Sequence, residues 1–128
     1  LAEANTKAAM ALIPDLLANA TEVSGSKLVA ASVGELTSDS LRELILQVRE
    51  RMGSDSVVIL GASSSDRATV MVAAGSEAVA SGKDSGALAK KAAEVLGGGG
   101  GGKKDLAQGG GPELSKLEQA IAEAKAML

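Results

Sequence analysis

Residues 97–111 read GGGGGGKKDLAQGGG, and nine of the sixteen glycines of the 128-residue chain fall in that stretch. This segment restricts the fold more than any other. Glycine-rich sequence on its own reads as random coil, and so as a flexible linker. A linker needs a domain on each side. Beyond residue 111 there is material for one helix, with Pro112 at a first helical position and Leu114, Leu117, Ile121, Ala124 and Leu128 forming an apolar stripe. One helix buries no core alone, so it docks back on the preceding residues. The glycines then lie inside a domain, where they lose more backbone entropy on folding than any other residue. The alternative to a linker is a loop whose bare backbone lets an anion come close, with successive N–H groups aimed at it.

The remaining residues supply that domain. Ala-rich residues 1–22 have helical spacing, with a break at Pro14 and a second short helix from there carrying Asp15 in its first turn. Residues 1–24 read as the end of a longer helical region and 25–128 as a globular domain; a chain that begins with Leu1 is expected to be part of a longer or processed protein. Lys27–Val33 is a strand. Leu41, Leu44, Ile45, Val48 and Met52 form one stripe on a helix that Thr37, Ser38 or Ser40 starts, Ser40 with Glu43 as a capping box, and that Gly53 ends. Ser56–Leu60 is an apolar run typical of a strand buried on both faces. Gly61–Asp66 has turn chemistry, and Ala68–Ala74 pairs back as a hairpin. A third helix covers Lys83–Leu96. The fold class is α/β: a small mixed sheet with a parallel strand–helix–strand unit and a hairpin, covered by helices.

The chain has no Cys, His, Phe, Tyr or Trp. Thiolate and Ser-His-Asp catalysis are excluded, and so is a zinc site of Cys and His. Stacking of bases on aromatic rings is excluded as well. No stretch has the length of a membrane span, and the start lacks the layout of a signal peptide.

Charge is unevenly spread. Residues 83–104 hold five lysines (Lys83, Lys90, Lys91, Lys103, Lys104) against Asp84 and Glu94, net +3, which leaves −6 on the rest of a chain of net charge −3. A basic helix and a basic glycine loop on an acidic body suit a phosphate-bearing partner, although lysines on a helix also serve simply as a solvated face. The candidate binding residues are Lys83, Lys90, Lys91, Gly98, Gly99, Gly100, Gly101, Gly102, Lys103, Lys104, Gln108, Gly109 and Gly110. No catalytic or metal-binding residue stands out. Six glycines satisfy G-x-G-x-x-G trivially, and after a helix instead of a strand. Gly97, Gly102 and Lys103 nearly fit a Walker A loop, but Lys104 stands where Ser or Thr must hold Mg²⁺.

The glycine–basic–Asp-Leu-Ala-Gln–glycine string of Gly97–Gly111 resembles a signature near the C-terminus of alanyl-tRNA synthetases. The strand near Lys27–Val33, the helix with Leu41-Arg42, the hairpin over Val57–Ala74 and Ser85-Gly86 before the basic helix are similar to that family's C-terminal domain (C-Ala). The likeness extends over at least residues 25–128. The same module, the DHH-associated domain, occurs in DHH-type phosphoesterases, where a glycine-rich loop helps hold the substrate and the metals sit on another domain. The resemblance implies a non-catalytic domain that binds the outer corner of tRNA, where the D and T loops meet. It also implies a bridge between aminoacylation and editing domains, a contribution to dimerisation chiefly through preceding helices, and a cytoplasmic setting. No cofactor is expected in this domain; ATP, Mg and Zn belong to the enzyme's other domains. Two departures are visible. Lys103-Lys104 replace an Arg-Pro pair found in many members, which exchanges a planar fork for point-like ammonium groups. Asp84-Ser85 stand where some members have His-Ala.

Two other functions remain open at this stage. One is the substrate-holding half of a DHH-type phosphoesterase, which a metal-binding motif upstream of Leu1 would reveal. The other is a dimerisation module, although the small core favours a monomer for the chain alone. Without aromatic rings, a polynucleotide partner is read by backbone shape through glycine N–H groups, lysines and Gln108, which suits a folded RNA corner.

Overall fold

The computed structural model describes residues 11, 13–23, 25–64 and 67–127. The elements in chain order are α1 (Ile13–Ala18), β1 (Thr21–Val23), β2 (Ser26–Glu35), α2 (Ser38–Met52), β3 (Ser56–Ser64), β4 (Arg67–Ala74), α3 (Ser76–Ala80), α4 (Ser85–Val95), β5 (Gly99–Gly102), β6 (Leu106–Gly111), a 3₁₀ turn (Leu114–Lys116) and α5 (Leu117–Ala126). One six-stranded mixed sheet of order β1-β2-β3-β4-β6-β5 carries them all. The strand–helix–strand unit is β2-α2-β3, with Leu28 opposite Val57 in a parallel pair. β3 and β4 form the expected antiparallel hairpin, with Ile59 opposite Val72.

Strand alternation divides the apolar residues into two layers. On one face Leu28, Val57, Ile59, Val70 and Val72 meet Leu88, Ala89 and Ala92 of α4 and Leu117, Ala120, Ile121 and Ala124 of α5. On the other Val29, Val58, Leu60 and Met71 meet Leu41, Leu44, Ile45, Val48 and Met52 of α2, with Ile13 and Leu16 of α1. The α2 stripe is the one its spacing predicts, and every member is buried. Thr37 is the residue that starts this helix. It keeps an extended backbone and its hydroxyl accepts from the Ser40 N–H at 3.2 Å, so Ser40 falls in the first turn and is not the cap. Gly53 ends the helix, as expected.

Several expectations are corrected. Of the helix expected over 1–22, residues 1–10 and 12 lie outside the described residues, Ile13–Ala18 is helical with Asp15 in its first turn, and Thr21–Val23 is a strand. Thr21 and Val23 are β-branched, and pairing with Leu28 and Ser26 outweighs the helical tendency of the residues before them. The turn expected at Gly61–Asp66 is shorter, because β3 continues to Ser64. Gly61 is a packing glycine: a Cβ there would lie 2.7 Å from Ile121 and 2.8 Å from Leu117 on α5. Pro112 does not open the last helix. A 3₁₀ turn intervenes, α5 begins at Leu117, and Leu114 is left exposed.

The largest correction concerns residues 97–111. They form neither linker nor open loop but a β-hairpin, with Gly99 opposite Gly110 and Gly102 opposite Ala107. β6 lies between β4 and β5, and β5 is the edge of the sheet. Glycine has low strand propensity, so neighbours impose the structure. β6 completes the ladder of buried β4, with Val70 opposite Gly109 and Val72 opposite Ala107. The missing side chains let α4 lie directly on the hairpin. A Cβ on Gly109 would stand 2.7 Å from the Ala89 carbonyl oxygen and 2.8 Å from the Ala93 Cβ, and one on Gly111 2.3 Å from the Leu96 carbonyl oxygen.

Candidate nucleic-acid interface

The hairpin turn carries Lys103 and Lys104 into solvent. Backbone bonds hold it in place. Lys103 donates its N–H to the Leu106 carbonyl at 3.0 Å, and the Lys104 carbonyl accepts from Ser85 at the start of α4, also at 3.0 Å. Asp84 caps that helix, its carboxylate accepting from the N–H groups of Gly86 and Ala87. The Asp105 carbonyl accepts twice, from the Ala74 N–H at 2.9 Å and from Nη1 of Arg49 at 3.0 Å. The turn is therefore tied to β4, to α4 and, through a guanidinium, to α2.

The two faces of the hairpin differ. Ala107 points to the α4 side and is buried there. Leu106 packs toward the α2 layer, and Gln108, two residues on, lies on the same side opposite Met71 and Gly101. α2 lies mainly over β3 and β4 and meets β6 at its Leu106 end. The result is a groove of about 490 Å³ with Met71, Leu106 and Gln108 along its floor. Arg42, Leu46 and Arg49 of α2 form one wall, and Gly101, Gly102, Lys103 and Asp105 the other. A second groove of about 780 Å³ shares Leu46, Arg49 and Asp105 and runs past Lys104 and Glu50 to Gly75.

The expected residues thus separate into groups. Gly101, Gly102, Lys103 and Gln108 share the first groove, and Lys104 lines the second. Gly98, Gly99 and Gly100 are exposed along the sheet edge. Gly109 and Gly110 are buried in β6 between two strands, so they offer no surface to a ligand. Lys90 and Lys91 belong to α4, on the opposite face of the sheet, and Lys83, between α3 and α4, lines neither groove. Lys91 is placed 3.8 Å from Glu123 of α5, the one ion pair among the described residues. Arg42 and Arg49 are absent from the candidates that sequence reasoning selects. Their signal was present: with Leu46 they are spaced i, i+4, i+7, which puts all three on one side of a helix.

Comparison with known proteins gives this architecture its class. The DHHA1 domain model matches residues 25–128, so the chain belongs to the DHHA1 domain family. Among solved structures it is similar to the C-Ala domain of Aquifex aeolicus alanyl-tRNA synthetase, with a TM-score of 0.75 and 27% identity over 86% of this chain and 97% of that one. A DHH-domain structure described as a member of a family of ribosomal proteins shares the fold at a TM-score of 0.57 and 18% identity, covering 95% of this chain and 31% of that one. Among curated sequences, alanine–tRNA ligases of Clavibacter sepedonicus and Myxococcus xanthus are 42% and 41% identical over 100% and 90% of the chain. The chain spans only 15% and 13% of those ligases. The likeness is to the C-Ala domain and not to a catalytic or editing domain.

Proposed function

We propose that this chain is the non-catalytic, tRNA-binding C-terminal domain of an alanine–tRNA ligase. In this reading it contacts the outer corner of tRNA through the basic tip of the glycine hairpin and helps couple aminoacylation with editing. The observation that carries the proposal is the tip itself. Lys103 and Lys104 are exposed side by side at the end of a strand of bare glycine backbone, in a domain of the C-Ala type. Ammonium groups beside a backbone without side chains suit a sugar–phosphate ribbon, and a chain without aromatic rings recognises RNA by shape. The domain takes no cofactor of its own; ATP, Mg and Zn serve the ligase's other domains. Its partners are alanine tRNA and those domains, in the cytoplasm; a second copy of the full-length protein is a further candidate partner. The identity near 40% to ligases favours this over the phosphoesterase reading.

Titration of the chain with an alanine tRNA transcript over a range of salt tests the reading. With about four phosphates neutralised, log K against log salt falls with a slope of roughly −3 to −4. Lys103→Ala with Lys104→Ala is expected to make that slope shallower by about one to two. An unchanged slope removes the hairpin tip from the contact.

A further inference from the structure

We infer that the polynucleotide backbone lies on the α2 side of the hairpin, in the groove where Arg42 and Arg49 hold phosphates together with Lys103, and not along the lysines of α4. The inference rests on the tRNA-binding reading and adds to it a face of the sheet and two residues. The local placement of charge favours the groove. The groove is lined by Arg42, Arg49 and Lys103 against one carboxylate, Asp105, so its lining is net +2. Counted over whole helices neither face stands out, since Lys90, Lys91 and Lys125 of α4 and α5 meet Glu94, Glu118 and Glu123, and Arg42, Arg49 and Arg51 of α2 meet Asp39, Glu43 and Glu50, each net zero; what differs is that the groove gathers two of those arginines beside Lys103. Lys91 is already beside Glu123, whereas no carboxylate pairs with Arg42 or Arg49 among the described residues.

Shape leads to the same face. α4 lies so close on the hairpin that the Ala89 carbonyl fills the place of a Gly109 side chain, and nothing enters between them. On the α2 side the floor is open, with Gln108 exposed upon it. Arg42 and Arg49 are two helical turns apart, roughly 10 Å along the axis at 1.5 Å per residue, so they meet different phosphates. Leu46 sits between them, half-buried, as an apolar surface for a ribose. Arg49 gives one N–H to the Asp105 carbonyl and keeps four more for a ligand. That bond also sets the distance between the arginine wall and the lysine wall.

The test compares salt titrations of the 128-residue chain with an alanine tRNA transcript across three double variants. Arg42→Gln with Arg49→Gln is expected to weaken binding about tenfold near 0.1 M salt and to make the slope shallower by about one to two. Lys90→Gln with Lys91→Gln is expected to change neither. A flatter slope from the α4 pair and none from the arginine pair overturns the inference while the tRNA reading stands. If neither the arginines nor Lys103→Ala with Lys104→Ala alter the slope, the tRNA reading falls too. Arg42→Gln alone guards against unfolding, because the Arg42 side chain is exposed and has no hydrogen bond to lose among the described residues; its slope is expected to be shallower by about one. Arg42→Lys is expected to retain the wild-type slope, which a purely structural role for this side chain does not predict.

Discussion

The two faces of the sheet are built from different side chains for different ends. Beneath α4 and α5, Leu88, Leu96, Leu117 and Ile121 alternate with small residues, and the small ones make the contacts with the hairpin. Ala89, Ala92, Ala93, Ala120 and Ala124 are fully buried, and glycines stand opposite α4 on β5 and β6. Beneath α2 the contacts are made by Leu41, Leu44, Ile45 and Val48, equally buried. Small residues bring helix and strand backbones together and leave no room for a ligand. Large ones fill the layer beneath α2, which lies mainly over β3 and β4. The hairpin is therefore sealed on one side and open on the other. The lysines that dominate the local charge count along the chain lie partly on the sealed side, and arginines from a distant segment complete the open one. Net charge along a segment does not report net charge around a groove.

The largest effect is expected from substitution of a glycine on the sealed side. Gly109→Val drives a branched side chain into the Ala89 carbonyl and Ala93 Cβ, 2.7 and 2.8 Å from where its own Cβ falls. The obstacle is backbone, which does not rotate away. A loss of about 3 kcal/mol is expected, with a Tm lower by roughly 10 °C in a thermal melt. Gly99→Ala, on the exposed edge, has nothing within 4 Å of the added Cβ. It is expected to change stability by less than about 0.5 kcal/mol. Equal effects from the two would mean that the hairpin is not pressed against α4.

Much of this arrangement is readable from periodicity. The α2 stripe fixes a buried helix, the apolar run at Ser56–Leu60 a central strand, and Ala68–Ala74 its antiparallel partner. The glycine hairpin is not readable in that way. Strand formation at Gly99–Gly102 comes from the neighbours, β6 and α4, and from no tendency of the residues themselves. Gly61 was equally opaque, since a glycine in a turn and a glycine under a helix look the same until α5 is in place. The short elements Thr21–Val23 and Ser76–Ala80 have too few residues to show a period. As for the candidate site, Lys103, Lys104 and Gln108 were visible as a cluster in sequence. Placing Arg42 and Arg49 beside them required the strand order β4-β6-β5, which brings residues about sixty positions apart to one groove.

A smaller effect sharpens the account of how the hairpin turn is held. Asp84 caps α4 through the N–H groups of Gly86 and Ala87, and the adjacent Ser85 N–H holds the Lys104 carbonyl. Asp84→Ala is expected to cost about 1 kcal/mol in chemical denaturation. Hydrogen exchange should rise at the first turn of α4 and at the hairpin turn together. A rise confined to α4 would show that the turn depends on β4 and Arg49 instead.

The weakest expected effect lies on the sealed face. Lys91 and Glu123 bridge α4 and α5 at 3.8 Å, and each side chain is about two-fifths exposed. At that exposure water and salt screen most of the attraction, and two long side chains lose rotamer freedom to hold it. Lys91→Ala is therefore expected to shift stability by no more than about 0.5 kcal/mol. A double-mutant cycle with Glu123→Ala isolates the pair from each residue's helix propensity. A coupling well above that value, persisting in high salt, would mean that the ion pair and not the alanine–glycine contact keeps α4 against the sheet, and the contrast between a sealed and an open face would then rest on charge instead of on close approach.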